Sequence, residues 1–361
     1  GLSYAIAAVP IGYLIDRVNR KKLLACLVAI WSGFTLSCGI AQSYWQLLLA
    51  RIAVGASEAG GAPASLSIIS DVFPESRRSR AISIFWLSTA VGTAISFGLG
   101  GFIADSYGWR ATFFVAGLPG LLMACVLLVA VTEPRRGSMD EKTAGSVAVA
   151  SPSLIETFEF AFHCKPVLHT LIAMGLKSMV LSGAMVWAAA YLIRVHGMPM
   201  TQAGVVVGLC IALFGGVGSL LGGFAGDWIF ARSGRKAQPL VPVATSLLTA
   251  LVVVFFATAP GVYMAVLGFA LFEVLSRIHT APAYAFLISN SPARSRGVIV
   301  SGLQLLTNLV GYGCGPLLVG VISDFVGTAE SLRYGLLSLA LISVLAAAHF
   351  YLSSRQLESA G

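Results

Sequence analysis

The chain has 361 residues, of which 57% are hydrophobic and only 11% charged, whereas water-soluble domains carry roughly 25% charge. That balance excludes a soluble protein. The formal charge of +8 invites a nucleic-acid reading, but the basic residues change sides from loop to loop and build no continuous basic face, so nucleic acid is excluded as a partner.

In chain order, the first apolar stretch closes on Gly12-Tyr13-Leu14-Ile15-Asp16-Arg17, followed by Arg20-Lys21-Lys22. Apolar runs over 23–41, 81–103, 111–131, 240–258 and 334–352 each approach the ~20 residues that cross ~30 Å of hydrocarbon as a helix. A helix keeps every backbone hydrogen bond inside the segment, which the bilayer demands. Less uniform runs surround Arg51, Lys177, Gly215, Glu273 and Gly311, giving about eleven spans. Loops carrying Arg17, Arg20, Lys21, Lys22, Arg77, Arg78, Arg80, Arg135 and Arg136 alternate with loops holding the single cations Arg110, Arg194 and Arg333. Positive loops stay in the cytoplasm, so the loop after Asp16 is predicted to be cytoplasmic and the protein to be multi-pass. Short loops and no Asn-x-Ser/Thr acceptor favour a bacterial inner membrane. The polar stretch 132–165, with Arg135, Arg136, Asp140, Glu141 and Lys142, reads as a cytoplasmic linker with a surface helix over 153–162. Six cysteines are scattered without metal-ligand spacing, so neither metal nor cofactor is expected.

An internal repeat sets the architecture. Gly12 to Lys22 recurs as Gly223-Phe224-Ala225-Gly226-Asp227-Trp228 with Gly234-Arg235-Lys236, and Gly12 to Gly223 is a step of 211. Ala62-Pro63-Ala64 with Ser70-Asp71 recurs as Ala281-Pro282-Ala283 with Ser289-Asn290, a step of 219 from Ala62 to Ala281. The expectation is an all-α membrane protein of two pseudo-symmetric six-helix bundles: residues 1–131, the linker 132–165, and residues 166–361. His169 lies 54 residues before Gly223, whereas 11 residues precede Gly12, so a first helix is expected to be missing from the sequence.

Gly12-x-x-x-Asp16-Arg17-x-x-Arg20-Lys21-Lys22 resembles the loop signature between helices two and three of the major facilitator superfamily. Across the repeat, spacing and topology the resemblance covers essentially the whole chain. It implies alternating access around a central cavity and a latch in which Asp16 pairs with charges or helix ends; Arg17, Arg20, Asp71, Arg77, Arg78 and Asp227 are the further candidates for that latch, the plainer alternative being a solvated surface cluster, and a monomer is expected. A narrower stretch, Arg51-x-x-x-Gly55-x-x-Glu58-Ala59, then Pro63 and Ser70-Asp71-Val72-Phe73-Pro74, is similar to the fourth helix of Spinster-type transporters. That likeness implies export of sphingoid phosphates or lysophospholipids, coupled to protons in some members. Anion:cation symporters of the superfamily have a similar Arg-x-x-x-Gly-x-x-Glu-Ala. The antiporter signature wants a Gly-Pro in helix five, where this chain has Gly92, Gly98, Gly100 and Gly101 without proline, so exchange is less supported.

Charges inside spans cost ~2.5–3.5 kcal/mol each on insertion scales, so the few present are informative. Arg51 and Glu58 are seven residues apart, close to two helical turns, and share a face. Glu58 is the candidate proton-binding carboxylate and a substrate contact, and Arg51 the candidate anion-binding group; the plainer alternative is a fixed network that only orients the helix. Glu273 and Arg277 are spaced to pair along one helix, either as a self-neutralised pair or as part of a substrate gate. Lys177 is a third mid-depth cation, a headgroup ligand unless its long stem snorkels to an end. Gly60, Gly61 and Pro63, with Pro282, are candidate hinges because proline frees carbonyls and lets a helix bend. His279 is the one histidine placed for proton transfer, with a packed neutral ring the plainer reading.

Three functions compete. A proton-linked transporter of amphipathic anionic lipids leads; a transporter of small organic anions or sugars is second and would want more Asn, Gln and Trp at mid-depth than Gln304, Asn308 and Trp187 supply. An enzyme would need a nucleophile or paired carboxylates, and no such constellation occurs; nor does GxxxxGK[ST], which disfavours an ATP-driven pump.

Overall fold

A computed structural model describes residues 2–139, 152–328 and 330–356; Asp140, Glu141 and Lys142 of the linker lie outside the described residues. Among the described residues every regular element is helical. In chain order these are α1 (Leu2–Ile15), α2 (Arg20–Ile40), α3 (Tyr44–Glu58), α4 (Gly61–Val72), α5 (Glu75–Ile95), α6 (Gly101–Tyr107), α7 (Trp109–Ala130), α8 (Leu154–His163), α9 (Lys165–Arg194), α10 (Met200–Leu209), α11 (Gly215–Ser233), α12 (Leu240–Ala257), α13 (Val262–Ile278), α14 (Thr280–Ser289), α15 (Arg296–Leu306), α16 (Gly315–Val326) and α17 (Ser331–Gln356). Among them, 9 continuous runs are long and apolar enough to cross a membrane, and Ser3–Ile15 is a shorter apolar helix. The run from Glu75 to Tyr107 is also continuous, with a π-helical turn over Ser96–Gly100 joining α5 to α6.

Contacts divide the chain into two compact units that interleave in sequence: 1–74, 95–161 and 291–305 in the first, 75–94, 162–290 and 306–361 in the second. Two long helices therefore change unit along their length. Both do so where the backbone loosens to π-helix, at Ser96–Gly100 after α5 and at Thr307–Cys314 after α15. Their first residues, Ser96 and Thr307, are again 211 apart.

In the first unit α2 packs along α3 and α7. Helix α7 buries only Gly117 and Ala124, a narrow face where Gly117 meets Leu36 and Gly120 meets Ser32. Small residues there let two backbones approach closely, the usual basis of helix association in lipid. The rest of α7 faces outward, with Leu122 70% and Val129 88% exposed; such an apolar stripe would aggregate in water and is solvated by acyl chains. The motif glycine has a similar reason: a side chain on Gly12 of α1 would overlap Ser301 and the Gly297 carbonyl of α15.

In the second unit α12 lies against α13 and α17, and α9 against α17. Their shared core holds Tyr191, Phe256, Phe269 and Phe272. Gly223 of α11 approaches Ser83 and Arg80 of α5 in the way Gly12 approaches Ser301. The repeat thus reappears as matched helix crossings, one inside each unit.

Helix α3 stops at Glu58 and α4 restarts at Gly61, while α13 stops at Ile278 and α14 restarts at Thr280. Pro63 and Pro282 each stand third in the restarted helix, where a missing N–H denies a donor to the carbonyl four residues back. These are the interruptions expected from the sequence, with Gly60 and His279 at the breaks.

A Gly223→Leu substitution should overpack the α11–α5 crossing and cost about 1–3 kcal/mol. Gly204→Leu, at a position with nothing within 4 Å, should change stability by less than about 0.5 kcal/mol. Thermal unfolding of the two variants in detergent checks the contrast.

Candidate functional site

The polar groups gather at two levels. At the basic-loop level of the first unit, Asp16 follows the end of α1 and is 1% exposed. Its carboxylate accepts the backbone N–H groups of Gly297 at 2.8 Å and Val298 at 2.9 Å. These lie in the first turn of α15, where N–H groups have no partner within the helix and the dipole favours negative charge. Burial pushes the Asp16 carboxyl above the usual carboxylate range, against the pull of those two N–H groups and of Arg136 and Arg17.

Four buried or half-buried charges adjoin it. Arg20 donates Nη1 to Asp71 at 2.5 Å and Nε to Glu133 at 2.7 Å. Arg296 donates Nη1 to Asp71 at 3.2 Å and to Ser70 Oγ at 3.2 Å. Two guanidiniums therefore meet two carboxylates, and the Gly137 N–H adds a further donor to Asp71 at 2.9 Å. Charge this deep is tolerable when every member is paired and hydrogen-bonded. The linker completes the arrangement: Arg136 donates Nη2 to the carbonyls of Ile15 at 2.6 Å and Val18 at 2.8 Å, and burial, with the nearby Arg20 charge, lowers its own proton affinity. Arg17, whose charge also acts on Asp16, has its guanidinium 3.3 Å over the Tyr13 ring and its Nη2 donating to the Pro152 carbonyl.

The second unit repeats the theme with different charges. Asp227 accepts the N–H groups of Ser79 at 3.0 Å and Arg80 at 3.3 Å, and Arg80 Nε at 2.6 Å. Arg78 is fully buried and donates to Ser289 Oγ at 2.6 Å, as Arg296 does to Ser70. Glu75 takes both Nε and Nη2 of Arg235, a bidentate pairing. Arg77 is exposed. Arg296, Glu133, Gly137 and Glu75 were not singled out from sequence, and Arg235 entered only as part of the repeated motif; the repeat could have flagged Arg296, which follows Arg78 by 218 positions much as Ser289 follows Ser70 by 219.

At mid-span, Arg51 and Glu58 are both exposed on α3. Their charges act on each other, and the Glu58 charge reaches Tyr4 of α1, although neither makes a hydrogen bond or ion pair among the described residues. Seven residues of helix separate them by about 10.5 Å along the axis. In the second unit Lys177 is 1% exposed and does not snorkel; its Nζ donates to Thr249 Oγ1 of α12 at 3.1 Å. Glu273 is 0% exposed, with Arg277 Nε 3.5 Å from its Oε2. His279 is buried at the α13–α14 break, its ring 6.2 Å from that of Phe350.

The Major Facilitator Superfamily profile matches residues 1–310. The chain belongs to that superfamily. It is similar to a sphingosine-1-phosphate transporter, SPNS2, of Danio rerio, at 26% identity over 98% of this chain and 76% of that protein. It is likewise 26% identical to a probable galactarate/D-glucarate transporter of Escherichia coli, over 95% of this chain and 81% of the relative. Among solved structures it resembles a bacterial homologue of the human lysosomal transporter Spinster, with 26% identity, a TM-score of 0.62, and 99% and 88% of the two chains covered. This superfamily member is thus a multi-pass membrane transporter with Spinster-like relatives, and those relatives are transporters, not enzymes.

Asp71→Ala removes the carboxylate that two buried guanidiniums share and should cost about 3–5 kcal/mol. Arg17→Ala, at an exposed side chain that lies over the Tyr13 ring and donates to the Pro152 and Tyr13 carbonyls, should cost less, about 1–2 kcal/mol. Thermal melts in detergent should rank the two variants accordingly.

Proposed function

We propose that this transporter moves an anionic amphipathic lipid, a sphingoid phosphate or a lysophospholipid, coupled to protons and by alternating access, as a monomer in a bacterial inner membrane. The observation that carries the reading is the Arg51–Glu58 face of α3. Two opposite charges stand exposed on one helix within the 29-residue run Tyr44–Val72, Glu58 at its middle and Arg51 seven residues nearer its start. Uncompensated charge at that depth is costly in hydrocarbon, so the face belongs to a wet pathway. Arg51 offers a planar fork of donors to a phosphate, and Glu58 exchanges a proton with water as that cation is engaged or released. The Spinster-like relatives support the lipid class. In this reading Arg277 contributes a second cation to the substrate, and the breaks at Gly60, Gly61, Pro63 and Pro282 act as hinges. The backbone contacts of Asp16 and Asp227 and the Asp71 network act as a cytoplasmic latch, broken and remade in the cycle.

A second reading, a small organic dianion as substrate, is favoured by the galactarate/D-glucarate relative and would use the same Arg51 chemistry. Proteoliposomes loaded with labelled lysophospholipid, sphingoid phosphate, D-glucarate or a neutral sugar, with and without a pH gradient, separate the readings. Lipid flux driven by the gradient is expected; D-glucarate flux without lipid flux would promote the second. Glu58→Gln should reduce the stimulation by the gradient by roughly 5- to 150-fold, the usual scale of a coupling free energy. Arg51→Ala should raise KM for the anionic substrate by an amount corresponding to ~1.5–3 kcal/mol, one charge-assisted hydrogen bond.

A further inference from the structure

The deepest carboxylate in the second unit is not the one the sequence favours for proton exchange. Glu273 of α13 is 0% exposed, and among the described residues neither Oε1 nor Oε2 has a hydrogen-bond partner. A settled ion pair would orient the guanidinium to donate to the carboxylate. Here Arg277 Nε stands 3.5 Å from Oε2 without a hydrogen bond and is itself unsatisfied.

Arg277 is held only loosely on its other side. Its Nη2 has the Met185 thioether at 3.7 Å, a weak acceptor, and the side chain is 23% exposed. It therefore keeps donors free for an anion while staying beside Glu273.

The surroundings leave room for that exchange. The carboxylate faces the π-helical turn Cys210–Phe214, a backbone form that recurs at functional sites. At the end of that turn Gly215 has no side chain; a Cβ would lie 3.3 Å from Glu273 Oε2 and 3.6 Å from Arg277 Nε.

Few titratable groups compete. The Cys210 thiol on the π-turn feels the Glu273 charge. Helix α9 brings Lys177, which acts on His279 at the end of α13 and donates to Thr249. Helices α10 and α12 carry no titratable side chain, and those of α11, Asp227 and Arg232, lie beyond its glycine-rich first half.

We propose that Glu273 is a proton-binding carboxyl of the second unit, and that an anionic headgroup drawing Arg277 away sets its protonation. When the headgroup engages Arg277, the carboxylate loses its one cationic neighbour and takes a proton from water. When the anion leaves, Arg277 returns and the proton goes back. This rests on the anion-transport reading above and adds to Glu58 a second proton site in the other half of the repeat.

The test reads the protonated carboxyl without measuring transport. The full chain in lipid nanodiscs is treated with dicyclohexylcarbodiimide, which modifies protonated carboxyls in apolar surroundings, and the Glu273 adduct is counted by peptide mass spectrometry from roughly pH 5 to 9. Lysophosphatidate added to the unmodified protein should move the labelling midpoint up by about one pH unit, about tenfold more adduct at fixed pH; uncharged monoacylglycerol should not. Arg277→Gln should give the same upward shift without lipid, and Arg277→Lys should keep the original midpoint. No Glu273 adduct at any pH, or a midpoint unmoved by lysophosphatidate and by Arg277→Gln alike, overturns the proposal. The shift without any lysophosphatidate flux in proteoliposomes supports this site and removes the transport reading; normal flux with an unmoved midpoint does the reverse.

Discussion

The absence of water from the hydrocarbon is the constraint on which the structure depends. It confines the backbone to helices, because an unpaired amide has nothing to bond to, and it lets Leu, Val and Phe side chains point outward from α7 and α17. The hydrophobic effect then does little to hold helices together. Close approach at small residues does that instead, as at Gly117 on Leu36 and Gly222 on the Ile278 carbonyl.

The same constraint makes each buried charge conspicuous. Asp71 with Arg20 and Arg296, or Glu75 with Arg235, sits in a fully paired set whose members each satisfy another. Asp16 and Asp227 solve a different problem, supplying carboxylate to backbone N–H groups of α15 and α5. The duplication makes the arrangement reciprocal: a carboxylate from the first half of the sequence holds a helix of the second, and its repeat holds a helix of the first. Each such contact lies wholly within one contact unit, which is why the units interleave along the chain.

Against that paired background, the groups that lack partners stand out. Arg51 and Glu58 are exposed and, among the described residues, make no hydrogen bond or ion pair, while Glu273 is enclosed with its oxygens without a hydrogen bond among those residues. Leaving such groups unsatisfied has no structural benefit, and they are the sites where a ligand or a proton supplies what the fold does not.

Much of this was legible in the sequence. Length and charge of the apolar runs fix membrane spans because the bilayer has one thickness, and the doubled Gly-x-x-x-Asp motif fixes the fold because glycine at Gly12 and Gly223 answers a local demand for close crossing. The helix breaks beside Pro63 and Pro282 were legible too, since proline's missing N–H is a property of the residue itself. What only the tertiary structure decided was who meets whom. Arg296 on Asp71, Arg235 on Glu75 and Glu133 on Arg20 join residues 225, 160 and 113 positions apart, and no local pattern encodes a partner at such distance. Glu273 and Arg277 show the same limit at close range: their i, i+4 spacing promises a neutralised pair, yet Gly215, Met185 and the π-turn come from other helices, and it is those neighbours that leave the carboxylate unmatched.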